Sequence, residues 1–358
     1  MGEKEEPMVS YYKDARHFTW LVNGWLYHGK PVVASEQVED MNIRYSGKSG
    51  KGGKVRRRSR YRDVVKKVDA VKYVLMIGSE MQNYVDYSMP VRIMDYDALE
   101  YKEQIAVLHS RRVMEPCENG KTEKWMLSPL KKEDRLIPVI TLVLYIGEKP
   151  WDASDNLYGL LDLSCVPQEL QQYISDYRIQ VLDVCHTEDV RLLEFPTDIA
   201  CMFLSLKYQN DFEKLKQIYE ENHSFQNVEI DTYDTIWEVL DKAGGRMSAI
   251  KERAQNEKGG INMCNVVDQM LETGRSEGIE IGKNEGRIQG SIETYQEMNV
   301  GYDNTQFYIE MKYNLSSEKA AEYMNMAQPA VSHAIRELES YYSARLFERM
   351  NRRIYITP

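Results

Sequence analysis

The chain has 358 residues, enough for about two domains of ordinary size. Its apolar content of 42% and charged content of 28% exclude a wholly disordered chain. The net charge of -10 argues, as a total, against a nucleic-acid-binding protein, because phosphate contacts need clustered Lys and Arg. The acidic N-terminus lacks a signal-peptide core, the longest apolar run is too short to span a bilayer, and the five cysteines form no CxxC pair. These features predict a cytoplasmic protein with no membrane partner.

The first predicted element is an amphipathic helix over residues 10–30, which ends at Gly29-Lys30-Pro31. A flexible Gly/Ser/Lys loop and a basic run follow at 44–67, where 11 basic residues face one acid and the rest of the chain totals about -20. The elements predicted after this block are a buried strand at 71–78, a helix after Pro90, a central strand at 137–146, and a mostly helical region at 152–255 with one strand at 179–184. This order predicts an α/β core with a helical continuation.

Glycines recur every four residues between Gly274 and Gly290, which places them near one face of a helix. The residues between them are charged, so a membrane helix is excluded. The favoured interpretation is a fraying helix or a linker. A close-packed helix pair in a homo-oligomer is the alternative.

The last 58 residues have the spacing of a helix-turn-helix. A helix is predicted over 307–313, and Ser316 or Ser317 is suited to cap the next short helix. A turn at 325–327 then leads into a second helix that Gln328-Pro329 opens.

A group of polar residues surrounds the first buried strand. Asp63 precedes it, and Glu80 and Gln82 are two residues apart at its end, so an extended backbone would point both to one face. Carboxylate oxygens suit Mg²⁺ or Mn²⁺, and the preceding basic run, which includes Arg58 and Arg60, is suited to a DNA backbone. By spacing alone, a solvated rim of the sheet is the more frequent meaning of such a pattern.

Several motifs resemble the recombination-promoting nuclease (Rpn) and transposase family of the PD-(D/E)XK superfamily. The resemblance covers most of residues 10–324 and rests on Arg62-Asp63, Ile77–Gln82, Asp86–Asp97, Tyr101, Gln104, the strand run at 138–151 and the Gly-rich tail. It implies an α/β restriction-endonuclease-like core and magnesium-dependent (or manganese-dependent) DNA cleavage. In that family's pattern Asp63 and Glu80 would be the catalytic metal ligands, with Gln82 as the third catalytic residue.

Two departures from the family pattern bear on activity. Gln82 stands where relatives in the wider superfamily have Lys, and glutamine cannot act as a base, so it could only orient water or polarise phosphate. Trp20 stands where family members commonly have an acid in the first helix. Arg92 and Tyr96 fall on the helix after the strand, where packing and a role at the site are both open interpretations.

Residues 320–339, 345–349 and 352–358 closely resemble the winged helix-turn-helix of LysR-type transcriptional regulators. The stripe of Val331, Ile335 and Leu338 would face inward. The DNA-binding residues this implies are Gln328, Pro329, Ser332, His333 and Arg336 on the second helix, and Arg349, Arg352 and Arg353 on the wing. The alternative is a three-helix satellite whose arginines are merely solvated.

The sequence therefore predicts a fusion joined near 320–324, with a nuclease-like domain at 1–225, a helical Gly-repeat tail at 226–300 and a small, mainly helical DNA-binding domain at 301–358. Two functions follow. One is a metal-dependent DNA endonuclease of transposase type, active in recombination, with DNA as partner. The other is a non-catalytic transcription regulator on a degenerate nuclease scaffold. The LysR resemblance also implies a homodimer.

Overall fold

The fold was obtained as a computed structural model of the chain. It describes residues 5–41, 44–49, 56–61, 63–70, 73–113, 128–240, 245–324, 347–350 and 353–356. The chain divides into two compact units, Met1–Met270 and Leu271–Pro358. The domain boundaries predicted after 225 and 300 stay predictions. No helix among the described residues is long and apolar enough to cross a membrane.

The first unit is built on a five-stranded mixed sheet of order β1-β4-β5-β6-β7. Its strands are β1 (Val38–Asp40), β4 (Val64–Ala70), β5 (Tyr73–Gln82), β6 (Val139–Tyr145) and β7 (Gln180–Asp183). The pairs β1–β4 and β4–β5 are antiparallel, whereas β5–β6 and β6–β7 are parallel. The predicted strands at 71–78, 137–146 and 179–184 are confirmed, since each apolar run forms a strand with at least one paired neighbour.

The basic segment forms a β-hairpin where a loop is predicted. Strands β2 (Arg44–Ser49) and β3 (Arg56–Tyr61) pair antiparallel as a separate two-stranded sheet. The prediction of a flexible loop is therefore wrong for these residues. β3 reads RRRSRY, without glycine or proline, so it can adopt extended backbone, and pairing with β2 supplies backbone hydrogen bonds that a loop would lack.

Helices cover the sheet and continue the first unit. They are α1 (Glu5–Lys13), α2 (Ala15–Tyr27), α3 (Met89–Val113), α4 (Gln168–Gln171), α5 (Asp189–Leu192), α6 (Thr197–Lys207), α7 (Phe212–Glu221), α8 (Ile230–Val239) and α9 (Gly245–Ala254). The single helix predicted at 10–30 is two helices, because the Asp14 carboxylate accepts the backbone N–H groups of Arg16 and His17 and starts a new helix there. Its predicted stop is confirmed, since Gly29 has φ +78° just after α2.

The long helix α10 (Met263–Glu297) runs through all five repeated glycines without a break. The prediction of a fraying helix is therefore wrong, whereas the role of this helical segment as a linker stays a prediction. Each glycine weakens a helix by about 1 kcal/mol relative to alanine, a cost that does not stop propagation. A Cβ atom placed at Gly274, Gly282, Gly286 or Gly290 would meet nothing within 4 Å among the described residues.

The second unit has its own apolar core. Helix α11 (Tyr302–Tyr313) and the helical residues 317–324 pack on the end of α10, burying Ile288, Ile292, Ile309, Ala320 and Met324 together. Strands β8 (Phe347–Met350) and β9 (Arg353–Ile356) then form an antiparallel hairpin. The predicted caps and helices up to residue 324 are confirmed, with Ser316 Oγ accepting the backbone N–H of Lys319 at 3.3 Å.

Replacing Ile292 by alanine is expected to lower the free energy of unfolding of the second unit by about 3 kcal/mol. Ile292 is fully buried at the centre of this cluster, so the change removes apolar contacts and leaves a cavity. Calorimetry of the full chain measures the loss as a lower transition temperature. Ile281→Ala on the same helix is the matched control, because Ile281 is 57% exposed. Equal losses for both variants would contradict the core assignment.

Candidate active site

Two carboxylates face each other across β4 and β5. Because Val64 pairs with Ser79, Asp63 stands directly before β4 at the position opposite Glu80. Asp63 Oδ2 accepts the backbone N–H of Met81 at 2.8 Å, which fixes the carboxylate beside β5. Asp63 is 7% exposed and Glu80 is fully buried. The structure therefore brings these two predicted residues together.

Gln82 lies two residues beyond Glu80 at the end of β5, on the same face of the sheet. Its side chain is buried, and Oε1 has no hydrogen-bond partner among the described residues. A buried amide oxygen that lacks a partner is costly, and such an atom is often the place of a water or an ion. The period-2 argument from the sequence thus predicts correctly that Glu80 and Gln82 share a face.

Arg92 reaches this pair from the second turn of α3. One Nη2–H of its guanidinium donates to Glu80 Oε1 in a short ion pair, Nη1 lies 3.5 Å from Asp86 Oδ2, and Nε–H donates to the Tyr96 hydroxyl at 3.2 Å. Burial, the largest single influence, would lower the pKa of Arg92, but Glu80, the Tyr96 hydroxyl and Asp63 together outweigh it, so the pKa lies above its ordinary value. These contacts join α3 to the sheet, so packing and a role at the site both stay predictions for Arg92.

Glu5, on the first turn of α1, is a site residue that the sequence reasoning missed. It is buried, and its Oε1 accepts the backbone N–H of Asn83, the residue that follows Gln82. Trp20 lies on α2, half-buried beneath the Arg16 guanidinium at 5.1 Å.

The signal that would have identified Glu5 is weak in the sequence. Two acids open a short helix, which is also the ordinary way to complement a helix dipole. Only the tertiary approach of α1 to the end of β5 distinguishes a buried Glu5 from a solvated one.

Burial raises the pKa of the Asp63 carboxyl above its ordinary value. The Met81 N–H and the Arg92 charge act in the opposite direction, while the negative charge of Glu5 adds to the rise. Folding therefore stabilises protonated Asp63 relative to its ionised form. The stability that this proton contributes is present below the ordinary aspartate pKa and is lost as pH rises through the raised value.

Asp63→Asn is accordingly expected to raise the melting temperature in metal-free buffer at pH 7, and to leave it nearly unchanged near pH 3.5. The amide keeps an oxygen for the Met81 N–H but removes a buried charge. Thermal unfolding of both proteins across pH measures the difference. Asp69→Asn is the control, since the Asp69 side chain is 59% exposed on β4. A difference in melting temperature that does not depend on pH would contradict an origin in the raised pKa of Asp63.

The arginines predicted to bind DNA are described only in part. Arg58 and Arg60 lie on β3, opposite Gly47 and Tyr45, and this strand ends two residues before Asp63. Arg349 and Arg353 lie on the β8–β9 hairpin, where a wing is predicted. Five other predicted residues, Gln328, Pro329, Ser332, His333 and Arg336, lie outside the described residues, as does Arg352.

Among the described residues, no group of three or more His, Cys, Asp or Glu side chains is arranged to hold a metal ion. The potential ligands at this place are therefore two carboxylates and one amide oxygen. All are hard oxygen donors, the type that Mg²⁺ and Mn²⁺ prefer.

The fold and site thus define an α/β domain with a buried acidic pair at its central strands, followed by a small helical unit with a terminal hairpin. Residues 58–231 match the family model described as "Putative transposase, YhgA-like". Residues 308–358 match the model of the bacterial regulatory helix-turn-helix proteins of the lysR family. The chain therefore joins a YhgA-like transposase domain to a DNA-binding helix-turn-helix domain of LysR type, which confirms both resemblances.

No curated protein matches the chain. No solved structure matches it. The two family models place Asp63, Glu80 and Arg92 within the transposase-like segment, and the hairpin arginines Arg349 and Arg353 within the helix-turn-helix segment.

Proposed function

We propose that the YhgA-like domain is a metal-dependent endonuclease that hydrolyses DNA phosphodiesters, and that the helix-turn-helix domain brings it to DNA. One observation carries this proposal: Asp63, directly before β4, and Glu80, on β5, are buried at opposing positions, with buried Gln82 two residues beyond Glu80 on the same strand. Buried acids are costly in a merely structural role, so their pairing favours a functional site.

The proposed fold is the restriction-endonuclease-like core. Helix α3 connects β5 to β6, which lies parallel to it, and β4 lies antiparallel on the other side of β5. This arrangement places the end of β5, with Glu80 and Gln82, beneath the first turns of α3. A helix that follows the acidic strand supports the comparison with that superfamily.

The donor set fits a divalent cation. Asp63 and Glu80 would hold Mg²⁺ or Mn²⁺, and Oε1 of Gln82, which lacks a hydrogen-bond partner within the described part of the chain, is a third oxygen of the same hard type. A bound divalent cation would lower the pKa of a water and offset charge on the phosphate. The Gln82 amide cannot act as a base, so its part would be to orient a water or to polarise the phosphate.

The other residues fit the same chemistry. The Met81 N–H orients the Asp63 carboxylate, and Arg92 orients Glu80. The basic β2–β3 hairpin, with Arg58 and Arg60, precedes Asp63 by a few residues and supplies positive charge suited to a DNA backbone.

A second candidate is a non-catalytic DNA-binding regulator that keeps the nuclease fold as a scaffold. The observation that favours it is the short ion pair between Arg92 and Glu80, which neutralises one of the two carboxylates without any metal. In this case Asp63 and Glu80 would serve only to pack α3 on the sheet.

Relaxation of supercoiled plasmid by the purified full chain separates the two candidates. If the chain is an endonuclease, nicked circles should appear with Mg²⁺ or Mn²⁺ and not with EDTA. If the chain is a non-catalytic regulator, the plasmid should stay supercoiled under both conditions while the protein still binds it. Nicking that persists in EDTA would contradict the metal dependence.

A further inference from the structure

A phosphate at the acidic pair needs a positively charged side chain that β5 does not supply. A phosphodiester is an anion, and negative charge grows on its oxygens during hydrolysis. Asp63, Glu80 and the nearby Asp86 are three acids, and the two positive charges of one divalent cation would not offset all of them. Gln82 is uncharged, so no side chain of β5 adds positive charge for the phosphate.

Arg92 has the position for that role. It contacts Glu80 and Asp86 at once, and its side chain is 28% exposed, whereas that of Glu80 is 1% exposed. Arg92 is therefore the part of this ion pair that a phosphate arriving from solvent would meet. A guanidinium carries five N–H donors in one plane, which suits two phosphate oxygens.

Open space adjoins Arg92. A surface cavity of about 700 Å³ is lined by Ser88, Val91, Arg92, Met94, Asp95 and Ala98 of α3 and the residue before it. Val91 is itself 44% exposed. Arg92 thus borders this cavity, which also contains the acid Asp95, while its guanidinium contacts Glu80.

We infer that Arg92 binds the phosphate of the substrate and supplies the positive charge that Gln82 lacks. The inference rests on the proposed function, because it names the substrate-binding residue of the same site. Arg92 also acts on Glu80 as a counter-ion, so its loss has two consequences of opposite sign. A divalent cation should bind more tightly, because Glu80 and Asp86 keep their negative charge, and the diester should bind and react more weakly.

The test uses the full chain with Arg92→Gln and Arg92→Lys. Binding of Mn²⁺, followed by the electron paramagnetic resonance of the free ion, is expected to tighten about tenfold in Arg92→Gln, the size of a single-charge effect at a partly buried site. The kcat/KM for bis(p-nitrophenyl) phosphate is expected to fall about tenfold to 100-fold, the usual worth of charge-assisted hydrogen bonds. Arg92→Lys keeps the charge but not the planar guanidinium, so its kcat/KM should lie between those of the wild type and Arg92→Gln.

A matched control variant and the Mn²⁺ measurement distinguish phosphate binding by Arg92 from a structural role. Arg178→Gln removes an arginine that is 74% exposed in an ion pair with Asp176, and should change neither quantity. A loss of both Mn²⁺ binding and turnover in Arg92→Gln would overturn the inference, since it would mean a structural role. Unchanged turnover in Arg92→Gln would also overturn it.

Failure of the nuclease proposal can be distinguished from failure of the Arg92 inference. If the wild type hydrolyses no diester, that proposal fails, and the Arg92 inference is decided by binding of the dinucleotide thymidylyl-thymidine in saturation-transfer NMR. The inference then predicts that Asp63→Asn binds the dinucleotide and that Asp63→Asn with Arg92→Gln does not. Equal binding by both proteins would overturn it.

Discussion

Asp63→Asn and Glu80→Gln are each expected to reduce Mg²⁺-dependent plasmid nicking by about 1,000-fold, and the double variant is expected to be about as slow as either single variant. Each change removes a negative oxygen donor while preserving the shape of the side chain. Loss of one cation ligand forfeits several kcal/mol of transition-state stabilisation, and about 4 kcal/mol corresponds to that factor. The single changes should not multiply, because both residues serve one cation.

Folding must be separated from chemistry in this experiment. Asp63→Asn is expected to be at least as stable as the wild type at pH 7, since burial raises the pKa of Asp63. Lost nicking with a raised melting temperature therefore indicates a chemical role. Asp152→Asn, which removes a negative charge beside the exposed Tyr87 hydroxyl and keeps one acceptor oxygen for it, is the control and should keep full activity. Nicking by the double variant at the wild-type rate would refute the assignment of this site.

The strands that the sequence predicts well are those covered on both faces. β5 and β6 are apolar runs at the centre of the sheet, so residue type alone identifies them. β4 is different, because it contains Lys66, a residue that normally indicates a solvated strand face. Lys66 is 1% exposed, and its ammonium donates to the Lys13 carbonyl oxygen at 2.6 Å and to Asp40. No local pattern predicts a buried lysine whose partners lie on other elements.

The site shows the same division between local and distant information. Glu80 and Gln82 share a strand, so period-2 alternation predicts their common face. Asp63 follows from the family resemblance, and the antiparallel register then places it opposite Glu80. Glu5 and Arg92 approach from helices, and their partners are fixed by packing. Sequence spacing therefore identifies the strand part of the site and not the residues that come to it from α1 and α3.

Charge distribution changes the meaning of the acidic total. The formal charge of -10 argues against a DNA partner only if charge is spread evenly. The β2–β3 hairpin and its flanks hold a basic block before Asp63, and the lysR-family segment carries the wing arginines. The acidic excess thus belongs to the remaining body of the chain, and a net charge alone does not exclude a nucleic-acid-binding protein.

Replacing Gln328, Ser332 and Arg336 together by alanine is expected to abolish sequence-specific binding of duplex DNA by the helix-turn-helix domain. These side chains lie on the predicted recognition helix, within the segment that matches the lysR-family model. Each good contact to a base edge is worth about 1–3 kcal/mol, so three lost contacts weaken binding by at least about 100-fold. A preferred duplex is first selected from a random library with the full chain, and fluorescence anisotropy then gives the Kd of each variant.

Contacts to phosphate should behave differently from contacts to bases. Arg349→Ala and Arg353→Ala on the β8–β9 hairpin are expected to weaken binding to selected and random duplexes alike, and to reduce the dependence of log Kd on log salt by about one each. Glu337→Ala on the predicted recognition helix is the matched control, since removing an acid cannot remove a phosphate contact. If the triple variant keeps its preference for the selected duplex, sequence is read elsewhere in the chain, and the transposase-like domain with its basic hairpin becomes the DNA-reading part.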